Sequence, residues 1–211
     1  MGTVPPATPL LEATPEHCRH CFDVLLAYYR GEAVQPPGFP QAHCAVFVTW
    51  KKADGGSQWR LRGCIGTLEP RDAQGAVKDY ALISALKDHR FSPIHKSEIP
   101  SLQCTVSLIF GFKKMASCME WEIGVHGLII KFYDAHSGRS RNATFLPEVP
   151  AQEGWTKQQT IDSLIRKSGY GGQVTPQLLA AIELTTYMSS PFSMSYDHYC
   201  KYIGQPVAGF A

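Results

Sequence analysis

The amino-acid sequence predicts an α+β fold with a mainly antiparallel mixed sheet flanked by helices. Two observations indicate this class: strand-like and helical segments alternate irregularly, and two consecutive strand-like runs surround a short glycine-containing turn. A doubly wound parallel sheet would show regular alternation of strand and helix. The chain has 211 residues, of which 44% are hydrophobic, so one domain with a sizeable core is expected.

Composition divides the chain and excludes several classes of protein. Residues 1–13 are rich in proline and small residues and predict a flexible lead-in, followed by one domain over 14–204 and a tail over 205–211. The net charge of +2 is spread along the chain, which argues against a duplex-DNA binder. No apolar run approaches the roughly 20 residues of a membrane span. We expect neither a membrane segment nor a secretion signal.

The first predicted helix begins at Thr14, the N-cap, with Pro15 in the first helical position. At helical spacing one face is apolar, and its residues are Cys18, Cys21, Phe22, Leu25, Tyr28 and Tyr29. The residues of the opposite face are Arg19, His20, Asp23 and Arg30. Cys18 and Cys21 could form half of a zinc site, but no second close Cys or His pair follows. We therefore predict buried thiols and no metal.

A β-hairpin is predicted by "HCAVFVTW", the turn "ADGG" and "QWRLRGCIG". Alternation along the second strand predicts one packed side and one polar side. The residues of the packed side are Trp59, Leu61 and Ile65. The residues of the polar side are Arg60, Arg62 and Cys64. Cys64 is thus expected to share its face with two arginines.

The rest of the chain predicts further helices and strands. Residues 72–88 form a helix that is apolar around most of its circumference, so Tyr80 and Ile83 are expected in buried contacts. Strands are predicted in "LQCTVSLIF", "HGLIIKFY" and "RNATFL". Thr156 and Gln159 form a capping box for a helix that ends before Gly169. A shorter helix and the strand "IELTTYM" follow.

The motif "LRGCIGTLEP" resembles the signature of the AMMECR domain family, named for the Alport syndrome, intellectual disability, midface hypoplasia and elliptocytosis chromosomal region. The resemblance continues in order through "HRFSPIHKSEIPSLQCTVSLI", "EIGVHGLIIKF" and "FLPEVPAQEGWTKQQTIDSLIRKSG", and covers residues 14–190. It implies a larger subdomain with a helix-flanked sheet, a smaller subdomain, and an intracellular protein. It also implies a pathway shared with Memo-type or radical-SAM proteins. His89 follows Asp88 where relatives tend to have proline, so this loop is expected to differ in shape.

Cys64, within "GCIG", allows three interpretations. Positive charge from Arg62 would favour a reactive thiolate, and Gly63 and Gly66 would let a ligand approach the backbone. Alternatively, Cys64 is a small structural residue and the glycines mark a bulge. The third interpretation, a GxxG clamp for nucleic acid, has weak support inside a predicted strand. The seven cysteines are an odd number, which suits reduced thiols in the cytosol or nucleus.

Two further polar residues are candidates for the same site. His126 could act as a general base, or could be a turn residue that bonds the backbone. Arg90 could bind an anion, or could form an ion pair with Glu98. The leading hypothesis is therefore an enzyme or ligand-binding protein with a cleft that contains Arg62, Cys64, Arg90 and His126, and that binds an anionic small molecule or nucleotide. The rival hypothesis is a regulatory module that binds protein or RNA without chemistry.

Overall fold

The computed structural model describes residues 11–55, 58–135 and 137–204. Most of the predicted lead-in and the whole predicted tail lie outside these residues. The helices of the described part are α1 (Pro15–Arg30), α2 (Ala73–Leu86), α3 (Glu148–Gln152), α4 (Lys157–Lys167), α5 (Pro176–Ala181) and α6 (Tyr196–Tyr202). The strands are β1 (His43–Ala53), β2 (Trp59–Asp72), β3 (Leu102–Lys114), β4 (Gly127–Asp134), β5 (Arg139–Phe145) and β6 (Glu183–Ser195). A 3₁₀ helix, Lys96–Ser101, precedes β3.

The six strands follow the order β2-β1-β3-β6-β4-β5. Strand β1 pairs antiparallel with β2 and with β3, and β4 pairs antiparallel with β5 and with β6. The predicted hairpin is the β1–β2 pair. An antiparallel sheet with helices confirms the α+β class, and the order leaves β2 at one edge of the sheet.

The described chain forms two compact units. The first runs to Ile109 and resumes at Ser190, and the second comprises Phe110–Ser189. In the first unit, α1, α2 and α6 cover one face of the strands, and Phe22, Trp50 and Val77 are fully buried in its core. The Trp50 indole also donates a hydrogen bond of 3.0 Å to the Ala81 carbonyl of α2. This bond fixes α2 against β1.

Helix α1 begins as predicted, with Pro15 after the N-cap Thr14, and buries both Cys18 and Cys21. Two predicted orientations on this helix are wrong. Tyr28 is 53% exposed because it lies in the last turn, before the chain leaves the helix. His20 is buried because Phe39 packs edge-on against its ring at 5.9 Å.

Helix α2 lies within the predicted residues 72–88, but its buried face is smaller than expected. The buried residues are Ala73, Ala76, Val77, Ala81, Ser84 and Ala85. Tyr80 and Ile83 are only half-buried and line a pocket of about 240 Å³. The small buried side chains let α2 approach the strands closely.

The second unit has its own core, in which Leu128, Ile130 and Leu164 are fully buried. The predicted capping box opens α4: Thr156 Oγ1 accepts a bond of 3.2 Å from the Gln159 N–H, and Gln159 Oε1 accepts one of 2.9 Å from the Thr156 N–H. Within residues 11–55, 58–135 and 137–204, no helix has both the length and the apolarity to cross a membrane.

Candidate functional site

Cys64 lies on β2, on the side of the sheet that faces away from α1 and α2. It pairs with Thr49 of β1, and Thr49 precedes Trp50, which packs against α2. Successive residues of a strand point to opposite faces, so Thr49 and Cys64 share the face away from the helices. Cys64 is half-buried, whereas the other six cysteines are buried.

The register between β1 and β2 shifts by one residue beside this position. The pairs on either side of the shift are Trp50 with Gly63 and Lys51 with Leu61. Arg62 is therefore an extra residue on β2, and a one-residue insertion exchanges the two faces of the strand beyond it. Leu61 shares the face of Cys64, and the prediction that Arg60 and Arg62 do so is wrong. Trp59 and Leu61, expected to be packed, are 38% and 41% exposed.

The Arg62 guanidinium binds the segment that follows α2 to strand β2. Its Nε and Nη2 donate to the Glu98 carboxylate at 3.1 and 2.9 Å. Its Nη1 donates to the Ser92 carbonyl at 2.7 Å, and Nη2 also donates to the Pro93 carbonyl at 3.2 Å. Lys52 adds a second positive charge, 2.9 Å from Glu98 Oε2. Most of the N–H donors of Arg62 are therefore bonded to other groups of the protein.

The positive charges and hydrogen bonds around Glu98 keep its carboxyl group ionised. Burial opposes the charged form of the carboxyl, but hydrogen bonds from Arg62, the His95 N–H and Lys52 outweigh it and lower the pKa of Glu98 to about 2. A carboxylate with so low a pKa is a poor proton donor or acceptor near neutral pH. Glu98 therefore serves as a fixed counter-charge.

Asp88 and Arg90 hold the backbone of Cys64 on the open side of β2. Asp88 Oδ2 accepts a hydrogen bond of 2.9 Å from the Cys64 N–H, and Arg90 Nη2 donates one of 3.2 Å to the Cys64 carbonyl. The two side chains also bond each other, with Arg90 Nε 3.0 Å from Asp88 Oδ1 and Nη2 2.7 Å from Oδ2. Together they occupy the peptide groups of Cys64 as a neighbouring strand would.

The Asp88–Arg90 pair is buried at one end and exposed at the other. The side chain of Asp88 is 6% exposed and that of Arg90 is 56% exposed. Hydrogen bonds from Arg90 hold the pKa of Asp88 well below its usual range, and Asp88 raises the pKa of Arg90. The sequence suggested Glu98 as the partner of Arg90, but Arg62 occupies that carboxylate. Nη1 of Arg90 has no hydrogen bond among the described residues.

Thr49 makes the contact to the thiol itself. Its Oγ1 lies 3.1 Å from Cys64 Sγ, with the hydroxyl as the donor. A hydrogen-bond donor at sulfur stabilises the thiolate. Thiols in the core are less acidic: burial raises the pKa of Cys104, and it raises that of Cys44 to about 11. A role for Cys64 as a nucleophile or a thiolate ligand stays a prediction.

Gly63 and Gly66 are required by contacts within the first unit. A Cβ on Gly63 would overlap the carbonyl oxygen of Ser84 in α2. A Cβ on Gly66 would overlap the carbonyl oxygen of Val46 and the ring of Phe47 in β1. The space beside each glycine is thus filled by the protein's own chain, and their role in ligand binding stays a prediction.

His126 belongs to the second unit, whereas Arg62, Cys64 and Arg90 belong to the first. Its ring Nδ1 accepts a hydrogen bond of 3.0 Å from the backbone N–H of Glu122. The backbone N–H of His126 donates to the Glu122 carbonyl at 3.1 Å. With Nδ1 as acceptor, the neutral imidazole carries its proton on Nε2. A catalytic role for His126 stays a prediction.

Two residues that contact Cys64 were not predicted from the sequence. The sequence drew attention to Asp88 only as the residue before His89. Its spacing of two residues from Arg90 permits a local ion pair, so a signal was present. Thr49 offered no signal, because its contact depends on a register that the sequence does not display. Among the described residues, no group of three or more His, Cys, Asp or Glu side chains could hold a metal ion.

Comparison with known proteins covers most of the chain. The AMMECR1 family matches residues 18–192, a range that contains Cys64, Arg90 and His126. The chain belongs to the AMMECR1 family. The resemblance indicated by "LRGCIGTLEP" is thus confirmed.

Relatives of this AMMECR1-family protein occur in plants, fungi and archaea. An uncharacterized protein of Arabidopsis thaliana is 49% identical over 194 residues, which cover 92% of this chain and 91% of that one. An uncharacterized protein of Saccharomyces cerevisiae is 32% identical over 177 residues, covering 74% and 70%. The crystal structure of an uncharacterized protein from Pyrococcus horikoshii aligns with a TM-score of 0.68 at 23% identity, over 84% and 89% of the two chains. That likeness shows the fold.

Proposed function

We propose that this AMMECR1-family protein binds a small anionic molecule or nucleotide at Cys64, as an enzyme or as a ligand-binding protein. One observation carries the proposal: Cys64 is held at three points while its side chain stays half-buried. Asp88 binds its N–H, Arg90 binds its carbonyl and Thr49 binds its sulfur. A small packing residue would not need its thiol oriented towards an accessible face.

Positive charge beside the thiol supports an anionic ligand. The Arg90 side chain is 56% exposed, and Asp88 fixes its orientation through two hydrogen bonds. Because Nη1 has no partner among the described residues, its N–H donors are available to a carboxylate or phosphate. Lys51 adds a cation on the face of Cys64, two residues from Thr49 along β1. In this proposal Arg62 positions the segment that carries Arg90.

Alkylation with two matched reagents tests the anionic preference. Iodoacetate and iodoacetamide modify the same sulfur and differ in charge, so the ratio of their rates at Cys64 reports the local field. We expect this ratio to be about 1.4-fold to fivefold higher in native protein than in urea-unfolded protein, because a partly exposed charge pair contributes about 0.2–1 kcal/mol. Arg90→Gln should remove the difference.

Arg60→Gln is the matched control, because Arg60 is 76% exposed in its side chain and lies off the Cys64 face. That variant should leave the ratio unchanged. A native ratio equal to the unfolded one would overturn the anionic ligand. A Cys64 that reacts no faster than Cys18, Cys21 and Cys104 would overturn the binding site itself.

A second candidate function, a module that binds protein or RNA without chemistry, is favoured by the exposed side chains of β2. Trp59 and Leu61 are large, apolar and partly exposed on the face of Cys64. Exposed aromatic and aliphatic side chains often mark sites that bind a partner. Under this alternative, replacing Trp59 with Ser would weaken partner binding, whereas Cys64→Ser would not.

A further inference from the structure

A pocket of about 240 Å³ opens on the first unit where β2 leads into α2. Arg71 and Asp72, which end β2, line it together with residues of α2. Side chains three or four positions apart on a helix are neighbours, so Ala76, Asp79 and Ile83 line the pocket along one face of α2. Cys64 is not part of this pocket, because its side chain faces away from α2.

The apolar part of the pocket suits the stem of one side chain. Ala76, Ile83 and the ring of Tyr80 supply it, and Tyr80 and Ile83 are half-buried. Gly75 also lines the pocket and adds no side chain to it. Pockets that hold drug-sized ligands commonly measure roughly 300–1,000 Å³. A volume of about 240 Å³ is smaller and suits a single extended side chain.

The polar part of the pocket carries net negative charge. The Asp79 carboxylate is exposed and forms no hydrogen bond or ion pair within the part of the chain that the structure describes. The Tyr80 hydroxyl has no hydrogen bond there either. Asp72 adds a second carboxylate. The charge of Arg71 is offset by Glu69, whose Oε2 lies 3.4 Å from its guanidinium.

We propose that this pocket binds an arginine side chain of a partner protein. A guanidinium is planar and permanently charged, so it binds the Asp79 carboxylate through two parallel hydrogen bonds and stacks on the Tyr80 ring. Its aliphatic stem lies along Ala76 and Ile83. Charge complementarity identifies the occupant, because a carboxylate without a partner beside an aromatic ring matches a guanidinium and repels an anion. The proposal does not depend on Cys64 or on its ligand.

Two capped amino acids that differ in one group test the proposal. Nα-acetylarginine amide carries the guanidinium, and Nα-acetylcitrulline amide replaces it with a neutral urea of similar shape. Titration into the isotope-labelled full chain, followed through the NMR amide shifts of Gly75, Ala76 and Asp79, gives both dissociation constants. We expect a value on the order of millimolar for the arginine probe. The citrulline probe should bind about threefold to thirtyfold more weakly, because it lacks the ion pair and the cation–π contact. Equal constants would overturn the proposal.

Asp79→Asn removes the charge that the guanidinium binds. It should weaken binding of the arginine probe by about 1.4-fold to fivefold, the factor that an exposed ion pair supplies, and leave the citrulline probe unchanged. Asp197→Asn is the matched control, because Asp197 is an exposed carboxylate of α6 outside the pocket and its loss should change neither constant. An arginine probe that responds equally to the two variants would contradict the role of Asp79 and overturn the proposal.

Gly75→Leu tests whether the probe lies inside the pocket. An added Cβ would meet Asp72 Oδ2, the end of a side chain, at 3.1 Å. Leucine also favours a helix more than glycine does, so the melting temperature should not fall. The leucine side chain fills the pocket and should abolish the saturable shifts. A variant that binds the arginine probe as wild type does would place the probe elsewhere and overturn the proposal.

Free L-arginine distinguishes a partner's side chain from a free amino acid. It carries the same guanidinium, with an amino group and a carboxylate in place of the two caps. Because Glu69 offsets the charge of Arg71, the pocket offers no unpaired cation to that carboxylate. L-arginine should therefore bind no more tightly than the capped probe. Binding more than about tenfold tighter would assign the pocket to a free amino acid and overturn the protein partner.

Discussion

The Asp88 carboxylate accepts a hydrogen bond of 2.9 Å from the backbone N–H of Cys64. Strand β2 lies at the edge of the sheet, where outward-facing peptide groups have no neighbouring strand. Asp88 supplies an acceptor and Arg90 a donor to the same peptide segment. A loop that follows α2 thus completes the hydrogen bonding of an edge strand and fixes the position of the thiol.

Asp88→Ala should lower the free energy of unfolding by about 2–3 kcal/mol, because it leaves the Cys64 N–H and the Arg90 guanidinium without their buried acceptor. Asp88→Asn retains one acceptor oxygen and should cost less. Urea unfolding followed by tryptophan fluorescence measures both. The control, Asp197→Ala, removes a carboxylate that is 56% exposed and should cost less than about 1 kcal/mol. Equal losses for Asp88→Ala and Asp197→Ala would contradict the role given to Asp88.

Acid should destabilise the protein through Glu98. Its folded pKa of about 2 is below the usual value of 4.5, so its contribution to stability is complete above about pH 4.5 and is lost as the pH falls towards 2. Glu98→Gln should therefore flatten the dependence of unfolding free energy on pH in this window. Urea unfolding at half-unit steps of pH gives the slope. A variant with the slope of wild type would show that Glu98 does not titrate with folding.

Much of the fold could be predicted from the sequence because its signals are local. Capping residues and apolar periodicity placed α1, α2 and α4, and the glycine-containing turn placed the β1–β2 hairpin. The error at His20 comes from a non-local contact: the ring of Phe39 covers His20, although Phe39 lies in the segment after the helix. Periodicity within a helix does not show what folds back onto it.

The site was less predictable because one inserted residue changes the face of a strand. Strict alternation placed Arg62 beside the thiol, but the register shift makes it the extra residue of β2 and turns its guanidinium to Glu98. The arginine that contacts Cys64 is instead Arg90, which donates to its carbonyl and lies 26 residues away in the sequence. The glycines suggested a bulge without showing which residue is inserted, and so distant a contact has no signature in a single sequence.

Gly63→Ala should destabilise the protein strongly, because the added Cβ would overlap the Ser84 carbonyl and force β2 away from α2. Overpacking of this kind costs about 1–3 kcal/mol. Gly171→Ala is the control, since a Cβ there would meet no atom within 4 Å. Thermal unfolding should show a clearly lower melting temperature for Gly63→Ala alone. Equal melting temperatures for the two variants would contradict the close approach of β2 to α2.

The hydroxyl of Thr49 should control the reactivity of Cys64. Because this hydroxyl donates to the sulfur, Thr49→Val removes a bond that favours the thiolate over the neutral thiol. A hydrogen bond of about 1 kcal/mol corresponds to roughly 0.7 pH unit, so the pH of half-maximal alkylation should rise by about 0.5–1 unit. Thr49→Ser keeps the donor and should restore the wild-type midpoint.

Iodoacetamide labelling across pH, read by peptide mass spectrometry, measures the shift in this midpoint. Cys104 serves as the internal reference because burial raises its pKa. An unchanged midpoint in Thr49→Val, with Cys64 still labelled before Cys104, would mean that Arg90 and not Thr49 activates the thiol.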